Sequence, residues 1–313
     1  MFLIAGEALI DMVATPEGTY RPVAGGAPFN FARALALQGL SASYANPFSD
    51  DTFGVLLKDT LAAAGAKHLG RITSRPTSLA LVATDDTGHP HYSFYREGVA
   101  DRDIDAATLI GLGSSEVQAF HTGALALVPP DDPSVLAAAH HFRARNVLCT
   151  LDVNMRPQVA ASMGIEPSRY REAALQMIGC ADVVKVSDED LEHLGHIGAP
   201  EVSARALLDR GPKLVVLTLG ATGAWAVSAD DKIFQPAHKV EIVDTVGAGD
   251  SFFAGFISSL HHEGRLAELR DHAPPTPVLT KALRHAAACA AINIARQGCQ
   301  PPTWEEALRW QTG

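Results

Sequence analysis

Short apolar runs alternate with longer stretches of helical spacing along most of this sequence, and the alternation restricts the folds that the chain can adopt. Several runs are apolar at consecutive positions, which is typical of strands buried on both faces. Strands separated by helices predict an α/β fold in which helices cover a parallel sheet. The predicted strands are Phe2–Ala5, Ser43–Asn46, Val117–His121, Val147–Asp152, Val183–Val186 and Leu214–Leu219. The predicted helices are Phe29–Gln38, Phe53–Ala64, Pro133–Arg145, Arg169–Ile178, Ala204–Asp209, Asp250–His262 and Lys281–Arg296.

Two early stretches interrupt this alternation. Residues 11–24 contain short extended runs around Thr15–Gly18, and residues 77–98 contain another pair around Asp86–Gly88. The glycine at 88 suits a hairpin turn, so we predict antiparallel strands in both stretches. The pattern alone leaves two interpretations open: one small sheet built from both stretches, or two separate surface hairpins.

Composition narrows the class of protein. The chain has 313 residues, which allows one large domain or two smaller ones, and its formal net charge is −10. Because nucleic-acid binding depends on clustered Lys and Arg, this charge argues against a nucleic-acid partner. Every apolar stretch falls short of the roughly 18 residues of a membrane-spanning helix. The first residues lack a basic leader and the four cysteines form no CxxC pair, so we expect a cytoplasmic enzyme with no membrane partner.

The most informative segment is Val240–Phe256. We predict an apolar strand that ends at Asp244, a tight turn with glycines at 247 and 249, and then a helix. Glycine lets backbone N–H groups come close to a ligand, and the start of a helix favours an anion. The segment therefore predicts a site for phosphate oxygens.

Asp250 lies at the start of that predicted helix. A lone aspartate there is often only an N-cap. Beside an anion-binding turn, however, its charge would repel the ligand unless it served the chemistry, for example by accepting a proton from an attacking hydroxyl. We therefore favour a general base. Neither a P-loop nor a dinucleotide fingerprint competes, because no Gly-Lys pair occurs and Phe252 occupies the third glycine position.

A second segment, Gly25–Gly39, also combines glycines with a helix start. Gly25 and Gly26 precede Pro28, and apolar residues then recur at helical spacing. Asn30 lies in the first turn, where its amide suits sugar hydroxyls. From spacing alone, the alternative that Asn30 only bonds its own backbone is favoured.

These two segments resemble the two motifs of the ribokinase-like, or PfkB, family of carbohydrate kinases, in the family's order. The chain is most similar to bacterial fructokinases, because Gly6–Asp11, Ser93–Arg96 and Leu151–Pro157 also resemble fructokinase segments. The resemblance covers essentially the whole chain. It implies one domain over residues 1–313, with a three-layer α/β/α architecture, a mostly parallel central sheet and a small β-sheet lid made from insertions at about 11–24 and 77–98.

The resemblance also implies roles for residues at matching positions. Asp250 would be the catalytic base, and Gly247, Ala248 and Gly249 would form the anion hole with it. Sugar contacts are implied for Asp11, Gly25, Gly26, Asn30, Arg96, Asn154 and Arg156. Nucleotide contacts are implied for Lys185, Ser187, Thr218, Gly220, Gly223 and Asn293. For the last four, an ordinary structural role remains the alternative.

The metal-linked positions depart from the family pattern. An Asn-x-x-Glu motif often influences Mg²⁺ in the family, but here Ser187 replaces the asparagine and Asp190 replaces the glutamate. The role would then pass from Asp190 through a water molecule or fall to Glu189; the alternative is an acidic helix start. Relatives activated by K⁺ bind it through backbone oxygens, which match Asp244, Thr245 and the loop after Gly298 here.

The activity implied is ATP-dependent phosphorylation of a primary hydroxyl of a ketohexose, with D-fructose giving D-fructose 6-phosphate as the leading case. ATP and Mg²⁺ would be required, K⁺ is a further candidate, and a homodimer is one candidate assembly. A 2-keto-3-deoxygluconate kinase is the nearest alternative, in which Arg96 or Arg102 would face the substrate carboxylate. A nucleoside or riboside kinase is more distant. A nucleotide or sugar sensor that has lost catalysis is the alternative from a different class.

Overall fold

The structure is a computed structural model that describes residues 1–15, 17–84, 90–113 and 116–312. Its strands form a large sheet, a small four-stranded sheet and a short parallel pair in the described part of the chain. The strands are β1 (Phe2–Ile4), β2 (Leu9–Ala14), β3 (Tyr20–Gly25), β4 (Ala42–Tyr44), β5 (Phe48–Ser49), β6 (Lys67–His68), β7 (Ile72–Thr73), β8 (Ser78–Thr84), β9 (Pro90–Tyr95), β10 (Ala119–Gly123), β11 (Leu148–Asp152), β12 (Val183–Ser187), β13 (Leu214–Thr218), β14 (Gly223–Val227) and β15 (Lys232–Pro236).

The large sheet has the order β15-β14-β13-β12-β11-β10-β1-β4-β6. Its neighbours from β13 to β6 pair in parallel, and β14 and β15 continue it as an antiparallel edge. The predicted mostly parallel sheet is confirmed. All six predicted core strands are present, each shifted by no more than a few residues at its ends.

Helices cover both faces of this sheet. They are α1 (Ala27–Leu37), α2 (Thr52–Ala63), α3 (Ala106–Leu112), α4 (Asp132–Ala144), α5 (Pro157–Ser162), α6 (Pro167–Cys180), α7 (Asp188–His193), α8 (Pro200–Leu207), α9 (Ala248–His262), α10 (Thr276–Ile294) and α11 (Trp304–Thr312). Among the residues described, no helix combines the length and the apolar character needed to cross a membrane.

Successive strand residues supply two separate cores, because neighbouring side chains point to opposite faces of a sheet. Leu3 and Phe120 join the core under α3 to α8, whereas Phe2 and Ile4 join the core under α1, α2, α9 and α10. This arrangement is the three-layer α/β/α architecture expected from the sequence. It places the carboxyl ends of the parallel strands at one edge, where α/β sheets bind ligands.

The small sheet has the order β3-β2-β8-β9 and unites the two early insertions. β2 pairs antiparallel with β3, β8 pairs antiparallel with β9, and β2 joins β8 in parallel. Of the two interpretations left open above, the single small sheet is therefore correct. The predicted turn at Asp86–Gly88 lies outside the described residues.

One predicted strand is wrong. Residues 240–244 form no strand; they belong to the loop between β15 and α9, in which Ile242 and Val243 are 60% and 56% exposed. A short apolar run predicts a strand, but this run lines the rim of a cleft and is not part of a sheet.

Candidate active site

A cleft of about 750 Å³ lies between the carboxyl edge of the large sheet and the small sheet. From the small sheet it is lined by Asp11, Arg21 and Phe94, and from the opposite side by the loop and turn at 242–250. The small sheet thus covers an opening whose other wall is the glycine turn.

The turn itself depends on glycine at 247. Gly247 is the N-cap of α9 and has a φ of 72°, in the left-handed region that favours glycine. A Cβ atom at this position would lie 2.2 Å from Sγ of Cys299, so a side chain could not fit without displacing the neighbouring loop. Close packing therefore holds the backbone N–H groups at the start of α9 toward the cleft.

Asp250 lies in the first turn of α9 and is 6% exposed. Its Oδ2 accepts a hydrogen bond from Nδ2 of Asn30 at 3.1 Å. Burial and, to a lesser extent, the nearby charge of Asp152 raise the pKa of Asp250 to about 7, against the opposite effects of Lys185 and Asn30. A carboxylate with this pKa can accept a proton near neutral pH.

The pKa of Asp250 leads to a prediction for how kcat/KM depends on pH on the acid side. A base must be unprotonated to act, so we expect kcat/KM to be constant above about pH 7 and to fall as the pH decreases through about 7. Initial rates measured across the range at subsaturating sugar would check this. If kcat/KM instead falls only near the ordinary aspartate pKa, Asp250 is not the titrating group.

A buried ion pair lies next to Asp250. Nζ of Lys185 contacts Oδ1 and Oδ2 of Asp152 at 2.9 and 3.0 Å, and both residues are less than 5% exposed. Burial lowers the pKa of Lys185, but the carboxylates of Asp152 and Asp190 outweigh it and raise that pKa above its ordinary value, so the ammonium stays charged. Nζ also lies 3.1 Å from the position a Cβ would take on Gly249. A fixed cation therefore sits against the glycine turn.

The sugar-facing side predicted from sequence also reaches the cleft. Burial raises the pKa of Asp11 to about 6, and Arg156 partly offsets this effect. A Cβ on Gly25 would lie 2.3 Å from Oδ2 of Asp11, so the glycine makes room for that carboxylate. Asn154, with a φ of 40°, follows β11 at the same wall.

Comparison with known proteins places this geometry in a family. Residues 2–306 match the pfkB family carbohydrate kinases. The chain belongs to this family of kinases. It is 37% identical to a fructokinase from Rhizobium leguminosarum bv. trifolii over 86% of this chain and 82% of that protein. It is 32% identical to fructokinase-2 of Zea mays, over 95% of this chain and 89% of that protein. The fructokinase of Xylella fastidiosa, solved with bound ATP, superposes with a TM-score of 0.91 at 28% identity, covering 99% and 98% of the two chains.

Most of the predicted site residues of the kinase line the cleft described above. The residues that line it include Asp11, Gly26, Asn30, Asn154, Arg156, Lys185, Asp244, Thr245, Gly247, Ala248, Gly249 and Asp250. The N–H of Ala248 already donates to the carbonyl oxygen of Thr245 at 3.2 Å. Its predicted share of the anion hole therefore passes to the N–H groups of Gly249 and Asp250, which have no partner within their own helix.

Arg96 does not line the cleft among the residues described. Its guanidinium is 5% exposed and pairs with Asp101 at 2.9 Å. A direct sugar contact of Arg96 therefore stays a prediction. The arginine lies behind the cleft wall, because strand β9 ends just before it and carries its side chain into the protein.

The side chains of Ser187 and Asp190, which were predicted to act on the metal, hydrogen-bond to backbone N–H groups of the protein. Oδ1 of Asp190 accepts the N–H of Met155 at 2.7 Å, and Oδ2 accepts the N–H of Ser187 at 2.9 Å. Ser187 in turn caps α7 by accepting the N–H of Asp190, so the two form a capping box. Glu189 is exposed and lies outside the cleft lining in the described part of the chain. These contacts favour the alternative of an acidic helix start, and a metal-linked role stays a prediction.

Of the six residues predicted on the nucleotide side, only Lys185 lines the described cleft. Asn293 is fully buried, donates Nδ2 to the carbonyl oxygen of Val246 at 2.8 Å, and accepts the N–H of Gln300 at 2.9 Å. Its amide thus supports the glycine turn and the loop at 300 from behind. Thr218, Gly220 and Gly223 lie at the end of β13 and in the turn into β14.

Two buried carboxylates were not predicted as site residues. Asp152 ends β11 and holds Lys185. Glu7 lines the cleft, accepts the N–H of Ala27 at 3.0 Å and of Leu125 at 3.2 Å, and burial raises its pKa to about 7. Asp152 is the last residue of one predicted strand and Glu7 comes two residues after another, so an acidic residue at the carboxyl end of a core strand was the signal in the sequence.

Proposed function

We propose that this kinase transfers the γ-phosphoryl group of ATP to the primary hydroxyl of D-fructose and releases D-fructose 6-phosphate and ADP. The observation that carries the proposal is Asp250, a buried carboxylate with a pKa near 7 in the first turn of the glycine-turn helix, facing the cleft. The fructokinases to which the chain is similar support fructose as the acceptor.

Three features of the cleft support a phosphoryl transfer. Asp250 accepts the hydroxyl proton as the sugar oxygen attacks phosphorus in line. The N–H groups at the start of α9 and the positive end of its dipole stabilise the charge on the transferring phosphoryl group. The ammonium of Lys185 adds a fixed positive charge at the same turn. The protein therefore contributes mainly position and electrostatics, as this reaction requires.

The small sheet forms the outer wall of the cleft and acts as a lid in this proposal. Asp11, Val13 and Phe94 face the glycine turn across the opening. Closing this wall over the sugar would exclude water and limit transfer of the phosphoryl group to water.

Mg²⁺ enters the proposal with the nucleotide and is not held by the predicted side chains. Both oxygens of Asp190 accept backbone N–H groups, and Glu189 lies outside the described lining. Mg²⁺ in such sites is commonly bound by phosphate oxygens and water molecules.

K⁺ remains a proposal for the loops beside the turn. Asp244 accepts the N–H of Val246 at 3.0 Å and that of Gly298 at 2.9 Å, so its carboxylate draws the two loops together. A site made of backbone carbonyl oxygens depends on such an approach.

The two arginines that the nearest alternative was predicted to use are engaged within the protein. Arg96 pairs with Asp101, and Arg102 pairs with Asp131 at 2.6 and 2.8 Å, which supports fructose over an acid sugar. Arg21 and Arg156 line the cleft, however, and the choice between fructose and an acid sugar is decided by measurement.

The test is a coupled ADP-release assay with ATP and Mg²⁺ over a panel of ketoses, aldoses, acid sugars and nucleosides, run in K⁺ and in Na⁺ salts. We expect the highest kcat/KM on D-fructose, and NMR of the product should show phosphate at C6. Preference for 2-keto-3-deoxygluconate would establish the alternative kinase. ATP binding without turnover on any acceptor would instead indicate a sensor. A rate in K⁺ equal to that in Na⁺ would remove the K⁺ proposal.

A further inference from the structure

Arg33 lies one helical turn after Asn30 on α1 and reaches two parts of the site. Its Nη1 donates to Oδ1 of Asn30 at 3.4 Å, and its Nη2 donates to the carbonyl oxygen of Cys299 at 3.3 Å. The guanidinium also lies 5.7 Å from the centre of the Phe29 ring. A planar fork of donors is what allows one side chain to make both contacts.

Both residues to which Arg33 donates, Asn30 and Cys299, themselves contact the glycine turn or the first turn of α9. Asn30 donates its Nδ2 to Oδ2 of Asp250 at 3.1 Å. Cys299 packs against Gly247, where it fills the space that a Cβ would need. Arg33 is therefore the residue that joins the sugar-side helix α1 to both the base and the turn.

The orientation of the Asn30 amide has a chemical consequence. With Oδ1 engaged by Arg33, the NH₂ group must face Asp250, and it favours the carboxylate form of that residue. A flipped amide would instead place Oδ1 against Oδ2 of Asp250, and two acceptors tolerate each other only if the carboxyl is protonated. Asn30 is 3% exposed, so bulk water is poorly placed to compensate.

We propose that Arg33 is a positioning residue, which holds the Asn30 amide with its NH₂ toward Asp250 and so keeps the base in its active, unprotonated form. The inference deepens the proposed function, since it concerns the base of that reaction. The predicted roles for the neighbouring residues do not include Arg33, and its contacts alone point to it.

Other groups also act on Asp250 and remain in place when Arg33 is changed. Asp152 on β11 raises its pKa, whereas Lys185 on β12 and Arg156 in the loop after β11 lower it. The Cys299 thiol is buried beside it, and its own pKa is raised to about 12 by burial, so it stays neutral. Arg33→Met removes the positive charge of Arg33 as well as its contact with Asn30, and both losses raise the pKa of Asp250; Arg33→Lys keeps the charge without the planar fork and so separates the two effects.

The decisive experiment is the titration of Asp250 in Arg33→Met, which keeps an apolar stem of comparable length and removes the donors. Carboxyl ¹³C NMR follows the titration in the full-length enzyme, with the Asp250 signal assigned by its loss in Asp250→Asn. We expect the pKa of Asp250 to rise by about one unit in Arg33→Met. The acid limb of kcat should move by the same amount, with only a small change in kcat well above it. Arg33→Lys, which keeps one charged donor, should restore part of the shift.

Arg145→Met is the matched control, because Arg145 is exposed at the end of α4 and lies outside the described cleft lining. It should titrate and turn over as the wild type does. An Asp250 titration in Arg33→Met that superimposes on the wild type overturns the proposal, even if the melting temperature falls. If Arg33→Met does not fold, Arg33→Gln, too short to reach both acceptors, is expected to shift the titration in the same direction. A shifted titration in a protein that does not phosphorylate fructose would support Arg33 and contradict the proposed substrate.

Discussion

The Asp250→Asn enzyme is expected to fold and to bind both substrates but to lose at least about 10²-fold in kcat, the lower range for a positioned acid–base group. The amide preserves the shape of the carboxyl group and can present its oxygen to Nδ2 of Asn30, which is 3.1 Å from Oδ2 in the wild type. What it cannot do is accept the hydroxyl proton. Steady-state kinetics with fructose and ATP varied in turn would separate the loss in kcat from any change in KM.

Stability provides an independent check on the same variant. The pKa of Asp250 is raised from 3.8 to about 7 in the folded protein, so folding disfavours its charged form; this cost builds up as the pH rises from 3.8 to about 7 and is complete above that value. The asparagine carries no such cost. We therefore expect Asp250→Asn to melt at a higher temperature than the wild type at about pH 8, and we expect this difference to shrink steadily as the pH falls from about 7 toward the ordinary aspartate value of 3.8.

Asp59→Asn is the matched control, since Asp59 is exposed on α2 and outside the cleft lining of the described residues. It makes the same chemical change and should leave both kcat and the melting temperature close to those of the wild type. Near-normal turnover by Asp250→Asn would contradict its assignment as the base. A variant that is inactive and also melts earlier at every pH would show that the substitution damages the fold.

Local signals in the sequence were sufficient for the architecture and for the catalytic turn. Consecutive apolar positions such as Leu214–Leu217 are typical of strands buried on both faces, and the structure has them inside the large sheet. A tight turn was predicted at Gly247 because glycine allows a backbone to approach a ligand closely. The φ of 72° at Gly247 agrees with that turn.

The partners of buried polar groups could not be predicted in the same way. Asp152 and Lys185 are 33 residues apart, and only the pairing of β11 with β12 brings them together. Likewise, Asn293 donates a hydrogen bond to the carbonyl oxygen of Val246, and only the packing of α10 against the glycine turn brings the two together. A sequence motif records which residue type is present, whereas tertiary packing decides which atoms remain available.

The same distinction explains the wrong strand at residues 240–244. Its apolar residues satisfy the local pattern, but the large sheet already ends in the antiparallel edge of β14 and β15. The segment instead runs along the cleft to the glycine turn. Apolar residues at the mouth of a ligand site are indistinguishable from a core strand until the sheet is assembled.

Lys185→Met is expected to have the second largest effect, on both stability and turnover. The variant leaves Asp152 buried without the ammonium that contacts it at 2.9 and 3.0 Å, and breaking a buried pair in this way costs about 3–5 kcal/mol of unfolding free energy. It also removes the fixed positive charge beside Gly249, for which we expect about a 10²-fold loss in kcat, as for other single electrostatic contacts to a transition state.

The double variant Asp152→Asn with Lys185→Met separates these two effects. Neutralising Asp152 removes the uncompensated charge, so urea unfolding should show much of the lost stability restored, while kcat stays low because the cation is still missing. Lys281→Met is the matched control: Lys281 pairs with Glu263 at the surface, so its loss should cost less than about 1 kcal/mol and leave turnover unchanged. If the double variant regained turnover together with stability, Lys185 would serve only to neutralise Asp152, and the glycine turn would act on the phosphoryl group without it.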